Sequence, residues 1–253
     1  MRARDRIVRI AFLSDIHANL EALDACLAHA REREATRLVF LGDFVGYGAD
    51  AQAVVARIAA EVARGALAVQ GNHDAAMACR GGYFNEAAQA SLDWARTTLA
   101  GESLAFLAAL PLTLREPPMY LVHASAVAPE RWDYVDSAAA ASRCVERAGE
   151  PYTFVGHVHD QALYYAGTSG RMLPFRPSAG TAIPVGAHRR WLAVVGSVGQ
   201  PRDRNPAAGY ALFDLPRREL TFFRVPYDHA AAANKIRRAG LPESLAYRVE
   251  MGI

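Results

Sequence analysis

Short apolar runs alternate with amphipathic stretches over the first two thirds of the chain. Five runs have the length and composition of buried strands, at residues 7–14, 38–42, 66–70, 118–123 and 152–157. The stretches between them repeat apolar residues at helical spacing and predict helices over about 19–34, 85–99, 102–110 and 136–148. A further helix is predicted to begin after Asp50, its expected N-cap. This alternation predicts a mostly parallel sheet with right-handed crossovers.

The pattern changes after residue 159. Short apolar runs follow one another there, separated by Gly, Pro, Asn and Asp residues: LYYAG, RMLPF, WLAVVG, YALFD and LTFFRV. Such runs indicate antiparallel strands, and a last helix is expected over about 228–238. Because no linker-like tract separates the two parts, we expect one domain over residues 1–253, with two sheets packed face to face and helices outside.

Residues that bind metals or handle protons follow the strand-like runs of the first part. They are Asp15, His17, Asp43, Asn72, His73, Asp74, His123, His157 and His159. Parallel strands direct their C-terminal ends to one edge of a sheet, where ligands bind, so these side chains are expected to converge. Carboxylate and imidazole together suit Mn²⁺, Fe or Zn²⁺ better than Ca²⁺ or Mg²⁺. Two such ions can activate water and clamp the oxygens of a phosphoryl displacement, which predicts a two-metal hydrolase.

Five sequence blocks carry a family resemblance: D-x-H at 15–17, G-D at 42–43, G-N-H-D at 71–74, His123, and G-H-x-H at 156–159. In this order they resemble the calcineurin-like metallophosphoesterase superfamily. The segments SDIHANLEAL, LGDFVGYGADAQAV and GSVGQPRDRNPAAGYALFD resemble its bacterial phosphodiesterase-like branch, and the match spans about residues 7–225. The resemblance implies a four-layer α/β/β/α sandwich of two mixed β-sheets and a metal-dependent phosphoric ester hydrolase.

The resemblance also implies a role for each block residue. Asp15, His17 and His159 would hold one divalent ion, Asn72, His123 and His157 would hold a second, and Asp43 would bridge them. His73 would lie beside the attacked phosphate, stabilising charge or protonating the leaving oxygen, and Asp74 would orient its ring. Mn²⁺ is the expected metal, with Fe, Zn²⁺ and Ni²⁺ as alternatives.

One block departs from the phosphoprotein phosphatase branch. That branch has an arginine two residues after the position of Val45, and the residue here is Tyr47. A protein Ser/Thr phosphatase is therefore disfavoured. Arg202 and Arg204, in a later loop, are alternative phosphate ligands whose position the sequence does not define. Two further alternatives stay open: Trp132 and Tyr134 either form an aromatic rim or pack in the core, and Asn19 either caps the first helix or reaches the substrate.

The expected activity is hydrolysis of a phosphate diester by metal-bound hydroxide, with His73 as the acid. The alternatives are a dinucleoside-polyphosphate or nucleotide phosphohydrolase, and a metal-binding scaffold without turnover. The net charge of +2 predicts no stable nucleic-acid complex, and the resemblance implies a small phosphate ester or nucleotide as partner. Three scattered cysteines (Cys26, Cys79 and Cys144) indicate a reducing compartment. No apolar run approaches the roughly 18 residues of a membrane span, so a cytoplasmic location is expected.

Overall fold

The computed structural model describes residues 8–78 and 84–253. Six strands form the first sheet, in the spatial order β3 (Leu67–Ala68), β2 (Arg37–Phe40), β1 (Arg9–Leu13), β11 (Ala208–Asp214), β12 (Glu219–Val225) and β9 (Ala182–Pro184). β1, β2 and β3 are parallel to one another. β11 and β12 continue the sheet antiparallel to β1 and to each other, and β9 pairs antiparallel with β12 at one edge.

The second sheet also has six strands, in the order β4 (Thr113–Glu116), β5 (Met119–Val122), β6 (Tyr152–Val155), β10 (Trp191–Val194), β7 (Ala162–Ala166) and β8 (Met172–Phe175). β5, β6 and β10 are parallel, whereas β4, β7 and β8 pair antiparallel. The expectation of a mostly parallel sheet for the first part is wrong, because its strands divide between the two sheets, β1–β3 in one and β5 and β6 in the other, and strands from the second part complete both. The two mixed sheets implied by the resemblance are confirmed.

The helices are α1 (Leu20–Glu32), α2 (Ala51–Ala63), α3 (Asn72–Ala78), α4 (Glu86–Thr98), α5 (Gly101–Ala109), α6 (Ala138–Ala148), α7 (His229–Arg238) and α8 (Glu243–Met251). Asn19 caps α1, because its side-chain oxygen accepts a hydrogen bond from the backbone of Ala22 at 3.1 Å. Asp50 precedes α2 but makes no side-chain cap. Its carboxylate accepts instead from Lys235 on α7 at 2.8 Å.

Apolar side chains of the two sheets meet in a central core. Phe12 of β1 and Phe154 of β6 stack with ring centroids 3.8 Å apart, and buried residues of both sheets surround them. The outer face of the first sheet packs on α1 and α2, and that of the second sheet packs on α6. The layer order is therefore helix, sheet, sheet, helix, and the predicted four-layer sandwich is confirmed. The single-domain extent over 1–253 stays a prediction.

Within the described residues, β4, β9, α3, α8 and the short 3₁₀ helix at Pro129–Arg131 were not expected from the sequence. β3 ends at Ala68, so Asn72, His73 and Asp74 open a helix and do not end a strand. Cys26 and Cys144 are buried free thiols. Cys79 and Ile7, the first residue of the first expected strand, lie outside the described residues. Within the described ranges, none of the helices combines the length and apolar character needed to span a bilayer.

Candidate metal centre and active site

The loops that follow β1, β2, β5 and β6, together with the start of α3, bring the five sequence blocks to one edge of the sandwich. Backbone hydrogen bonds join these loops. The amide of Asp15 donates to the carbonyl of Gly42 at 3.0 Å. The amide of His157 donates to Oδ2 of Asp15 at 2.9 Å, which connects the second sheet to the first. Residues distant in sequence are thus held in fixed relative positions.

Five of the block residues have left-handed backbone conformations: Asp15 (φ 53°), His17 (φ 49°), Asp43 (φ 55°), His157 (φ 65°) and His159 (φ 74°). The backbone at these positions is therefore not that of an extended strand end. Each left-handed non-glycine residue costs about 1–2 kcal/mol, and such strain clusters at functional sites.

Close approach of the loops requires glycine at two positions. A Cβ on Gly71 would lie 2.2 Å from Oδ1 of Asp43, and a Cβ on Gly46 would lie 2.2 Å from Nδ1 of His73. Any larger residue at either position would displace a block residue. These glycines therefore hold Asp43 and His73 at their places in the site.

Asp15, His17 and His159 form one cluster. Nε2 of His159 lies 3.3 Å from Oδ1 of Asp15 and 3.2 Å from Nε2 of His17. All three side chains are at most 3% exposed, and Oδ1 of Asp15 has no hydrogen-bond partner among the described residues. A buried carboxylate oxygen facing two imidazole nitrogens is a ligand set for a divalent cation.

Asp43, His123 and His157 form a second cluster, with Asn72 at its side. Nε2 of His123 lies 3.4 Å from Oδ2 of Asp43, 3.1 Å from Nδ1 of His157 and 3.1 Å from Oδ1 of Asn72. Oδ2 of Asp43 also lies 3.8 Å from Nε2 of His17 in the first cluster. Asp43 therefore stands where one carboxylate reaches both clusters.

Backbone carbonyls orient three of the histidine rings. Each contact joins Nδ1 to a carbonyl oxygen: His17 to Val45 at 3.2 Å, His123 to Leu41 at 2.7 Å and His159 to Gln200 at 2.6 Å. An imidazole that donates from Nδ1 leaves the Nε2 lone pair free for a metal. These lone pairs point at the two carboxylates, so the residues present fit divalent metal ions.

Burial and mutual charge set the pKa values of the side chains in the two clusters. Burial raises the pKa of Asp15 to about 6. Burial opposes ionisation of Asp43, but the neighbouring imidazoles, His123 foremost, hold its pKa well below its usual range. Burial likewise opposes protonation of His123, but Asp43 raises its pKa to about 9. Burial, and then the charge of His123, lower the pKa of His157 to about 3. The proton of His123 therefore balances Asp43, and a metal ion can replace it.

Asp74 does not orient the ring of His73, contrary to expectation. Its carboxylate accepts from the backbone amides of Asp43 at 2.8 Å, Phe44 at 2.8 Å and Gly71 at 3.0 Å. Burial, and then the charge of Asp43, raise its pKa to about 7. Asp74 thus fastens the Asp43 loop to the start of α3.

Packing positions the ring of His73. Its Nδ1 has no hydrogen-bond partner among the described residues, and its Nε2 lies 4.0 Å from Oδ2 of Asp43. The rings of Tyr47 and Phe84 lie 4.7 and 5.0 Å from it, centroid to centroid. These two aromatic contacts were not foreseen, because they join loops whose relative position the sequence does not show.

A cavity of about 670 Å³ opens over both clusters. Trp132 and Tyr134 lie on its rim, so they do not pack in the core. Tyr134 is 52% exposed and stacks on the ring of His157 at 4.2 Å. Arg202 also lines the cavity, and its charge adds to the larger effect of burial in lowering the pKa of His159. Arg204 is exposed and is not among the described lining residues.

Comparisons with known proteins relate this chain to a family. The family profile of the calcineurin-like phosphoesterase superfamily domain matches residues 8–218. An uncharacterized protein of Methanocaldococcus jannaschii is 34% identical over 256 residues, which cover 96% of this chain and 98% of that protein. A metallophosphoesterase from Sphaerobacter thermophilus, 34% identical, superposes with a TM-score of 0.87 over 98% of this chain and 100% of that one.

A hypothetical protein from Pyrococcus horikoshii OT3 has the same fold, with a TM-score of 0.79 at 20% identity over 98% of this chain and 99% of that one. The profile and the 34% identical relatives define the class of protein. The chain belongs to the calcineurin-like phosphoesterase superfamily, and with it to the metal-dependent phosphoesterases, a family of hydrolases.

Proposed function

We propose that the protein is a binuclear metal-dependent phosphodiesterase that acts on a small phosphate ester or nucleotide. The single observation that carries the proposal is the position of Asp43, whose Oδ2 lies 3.4 Å from His123 and 3.8 Å from His17. One carboxylate shared by two buried ligand clusters is the arrangement that a two-metal site requires. A cytoplasmic location belongs to the same proposal.

The residues of the chain divide the work. Asp15, His17 and His159 hold one divalent ion, while Asn72, His123 and His157 hold the other, and Asp43 serves both. Bound ions supply an activated water and Lewis-acid stabilisation of the phosphoryl oxygens. Mn²⁺ is the metal of this proposal, because a mixed set of carboxylate and imidazole ligands suits it. The same ligands also bind Fe, Zn²⁺ and Ni²⁺.

His73 lines the cavity beside Asp43, where it can stabilise charge on the phosphoryl group or pass a proton to the leaving oxygen. Gly46, Tyr47 and Phe84 hold the ring by contact on its sides. Proton donation to the leaving group makes the rate depend on the basicity of that group. An alkoxide leaving group requires the proton more than a p-nitrophenolate does.

The test combines metal analysis with turnover. The purified protein is stripped with a chelator, reloaded with Mn²⁺, and assayed with bis-p-nitrophenyl phosphate while bound metal is measured by mass spectrometry. We expect two ions per chain and turnover that vanishes on stripping and returns with Mn²⁺. Metal binding without turnover of any diester would refute the phosphodiesterase assignment and leave the nucleotide phosphohydrolase and the scaffold as alternatives.

A nucleotide or dinucleoside-polyphosphate phosphohydrolase is the second candidate, and the exposed ring of Tyr134 on the cavity rim favours it. Stacking of a base on an aromatic side chain contributes about 1–3 kcal/mol. Tyr134→Ala is therefore expected to raise KM for nucleoside esters at least about fivefold and to leave KM for alkyl esters unchanged. A panel of alkyl diesters, dinucleoside polyphosphates and monoesters decides between the candidates. Equal effects of the substitution on all of them would remove the support for a nucleotide substrate.

A further inference from the structure

The cavity contains a cation that none of the roles above uses. Arg202 lies in the loop between β10 and β11 and lines the cavity with His157 and His159, close enough for its charge to lower the pKa of both rings after the larger effect of burial. Its Nε is buried and has no hydrogen-bond partner among the described residues. Its Nη2 donates to the side-chain oxygen of Gln200 at 3.3 Å, and the Tyr47 hydroxyl is a second neighbour of the guanidinium.

No described carboxylate forms an ion pair with Arg202. The adjacent Asp203 is occupied by Arg224, which reaches its two oxygens at 2.7 and 3.0 Å. A partly buried guanidinium with free N–H donors is satisfied best by an oxyanion, which it binds with two parallel hydrogen bonds. The cavity side of Arg202 therefore has the donors and the charge of an anion subsite.

Tyr47 of the Asp43 loop lies beside this arginine. Tyr47 stands where the phosphoprotein phosphatase block has arginine, and its ring is packed 4.5 Å from His17 and 4.7 Å from His73. The Tyr47 hydroxyl lies next to the Arg202 guanidinium. The Tyr47 phenol therefore borders Arg202 on the side of the Asp43 loop.

Gln200 ties Arg202 to the metal centre. It is fully buried, its carbonyl accepts from Nδ1 of His159 at 2.6 Å, and its side chain holds Arg202. Gln200 thus contacts both the His159 ring and the Arg202 guanidinium. The spacing between the first cluster and the anion subsite is therefore set by a buried residue.

We propose that Arg202 is a substrate-binding residue whose guanidinium holds a non-bridging oxygen of the phosphoryl group above the two clusters. The ligand class is a tetrahedral phosphate oxyanion, either an ester or inorganic phosphate as product. The role of Arg202 in turnover rests on the proposed function, whereas its binding of phosphate rests on the cavity geometry alone.

The test uses the Mn²⁺-loaded protein with Arg202→Gln, Arg202→Lys and, as matched control, Arg204→Gln in the same loop. Two readouts are taken: kcat/KM with bis-p-nitrophenyl phosphate, and affinity for inorganic phosphate from the shift in melting temperature. A charged hydrogen bond corresponds to a change of about 10- to 100-fold. We expect losses of that size in both readouts for Arg202→Gln, a smaller loss for Arg202→Lys, and changes below about twofold for Arg204→Gln.

Metal content is measured in every variant. Arg202→Gln with two ions bound and with unchanged phosphate affinity and kcat/KM would overturn the proposal, as would loss of the ions from that variant, which would explain weaker binding without a contact to phosphate. If no variant hydrolyses a diester but phosphate affinity still depends on Arg202, the phosphodiesterase proposal fails and the anion subsite stands. If diester turnover is normal in Arg202→Gln, the subsite fails and the phosphodiesterase stands.

Discussion

Asp43→Asn tests the sharing of one carboxylate between two ions. The side chain is almost fully buried, and its Oδ1 accepts from the backbone amide of His73 at 2.8 Å. Asparagine has the same shape and can keep that contact through its own oxygen. The substitution then places an NH₂ group where Oδ2 faces the nitrogens of His17 and His123. It removes one negative charge and one ligand atom while changing the volume of the site very little.

The expected loss follows from the distances. Oδ2 lies 3.4 Å from Nε2 of His123 and 3.8 Å from Nε2 of His17, the nitrogens that would share its ions. A pair of unit charges about 4 Å apart interacts with about 4 kcal/mol at an effective dielectric constant of about 20. Since 1.4 kcal/mol is about a tenfold change in binding, we expect metal affinity to fall by at least about 10³-fold.

The assay measures bound Mn²⁺ by mass spectrometry after gel filtration, and kcat/KM over a titration with Mn²⁺. Asp93→Asn, which changes an exposed carboxylate on α4, is the control and is expected to behave as the wild type. Two ions retained at unchanged affinity in Asp43→Asn would refute the reasoning. If Asp43 serves both ions, the Asp43→Asn variant loses both of them, or loses one and binds the other more weakly.

Three further predictions concern individual side chains. His73→Ala should lower kcat/KM about 10²- to 10⁴-fold for an alkyl diester and less for a p-nitrophenyl ester, and equal losses would exclude the acid role. Asp74→Asn should lower the free energy of unfolding by about 2–3 kcal/mol, because the backbone amides that donate to this carboxylate lose an acceptor. An unchanged free energy of unfolding in denaturant titrations would contradict this. Burial, and then Arg33, lower the pKa of His29 in the fold, so the unfolded chain binds its proton more tightly and stability should fall as pH drops below about 6.5. His29→Gln should lessen that fall in melting temperature between pH 7.5 and 5, and an identical pH dependence would refute it.

The sequence was a good guide to the location of the site. Strand-length apolar runs followed by Asp15, Asp43 and His123 predict that these side chains meet, because the ends of parallel strands share an edge. The capping of α1 by Asn19 and of α4 by Asn85 was equally predictable, since capping depends on residues only three positions apart. Local spacing is enough for features of this kind.

Contacts between distant loops could not be predicted. The carboxylate of Asp74 binds the backbone of Asp43 and Phe44, and the sequence motif offers no sign of backbone partners some thirty residues away. The place of β10 between β6 and β7 likewise joins segments that are distant in sequence, and the apolar pattern of β10 does not show which strands it pairs with. The approach of Arg202 to the cavity follows from the same topology, so its sequence position alone did not place it.

The most direct measurement is anomalous diffraction at the manganese edge from crystals of the Mn²⁺-loaded protein. The account predicts two peaks about 3.5–4 Å apart, one beside Asp15, His17 and His159 and the other beside His123 and His157, with Asp43 between them. A single peak, or a second ion that does not contact Asp43, would contradict the two-metal centre.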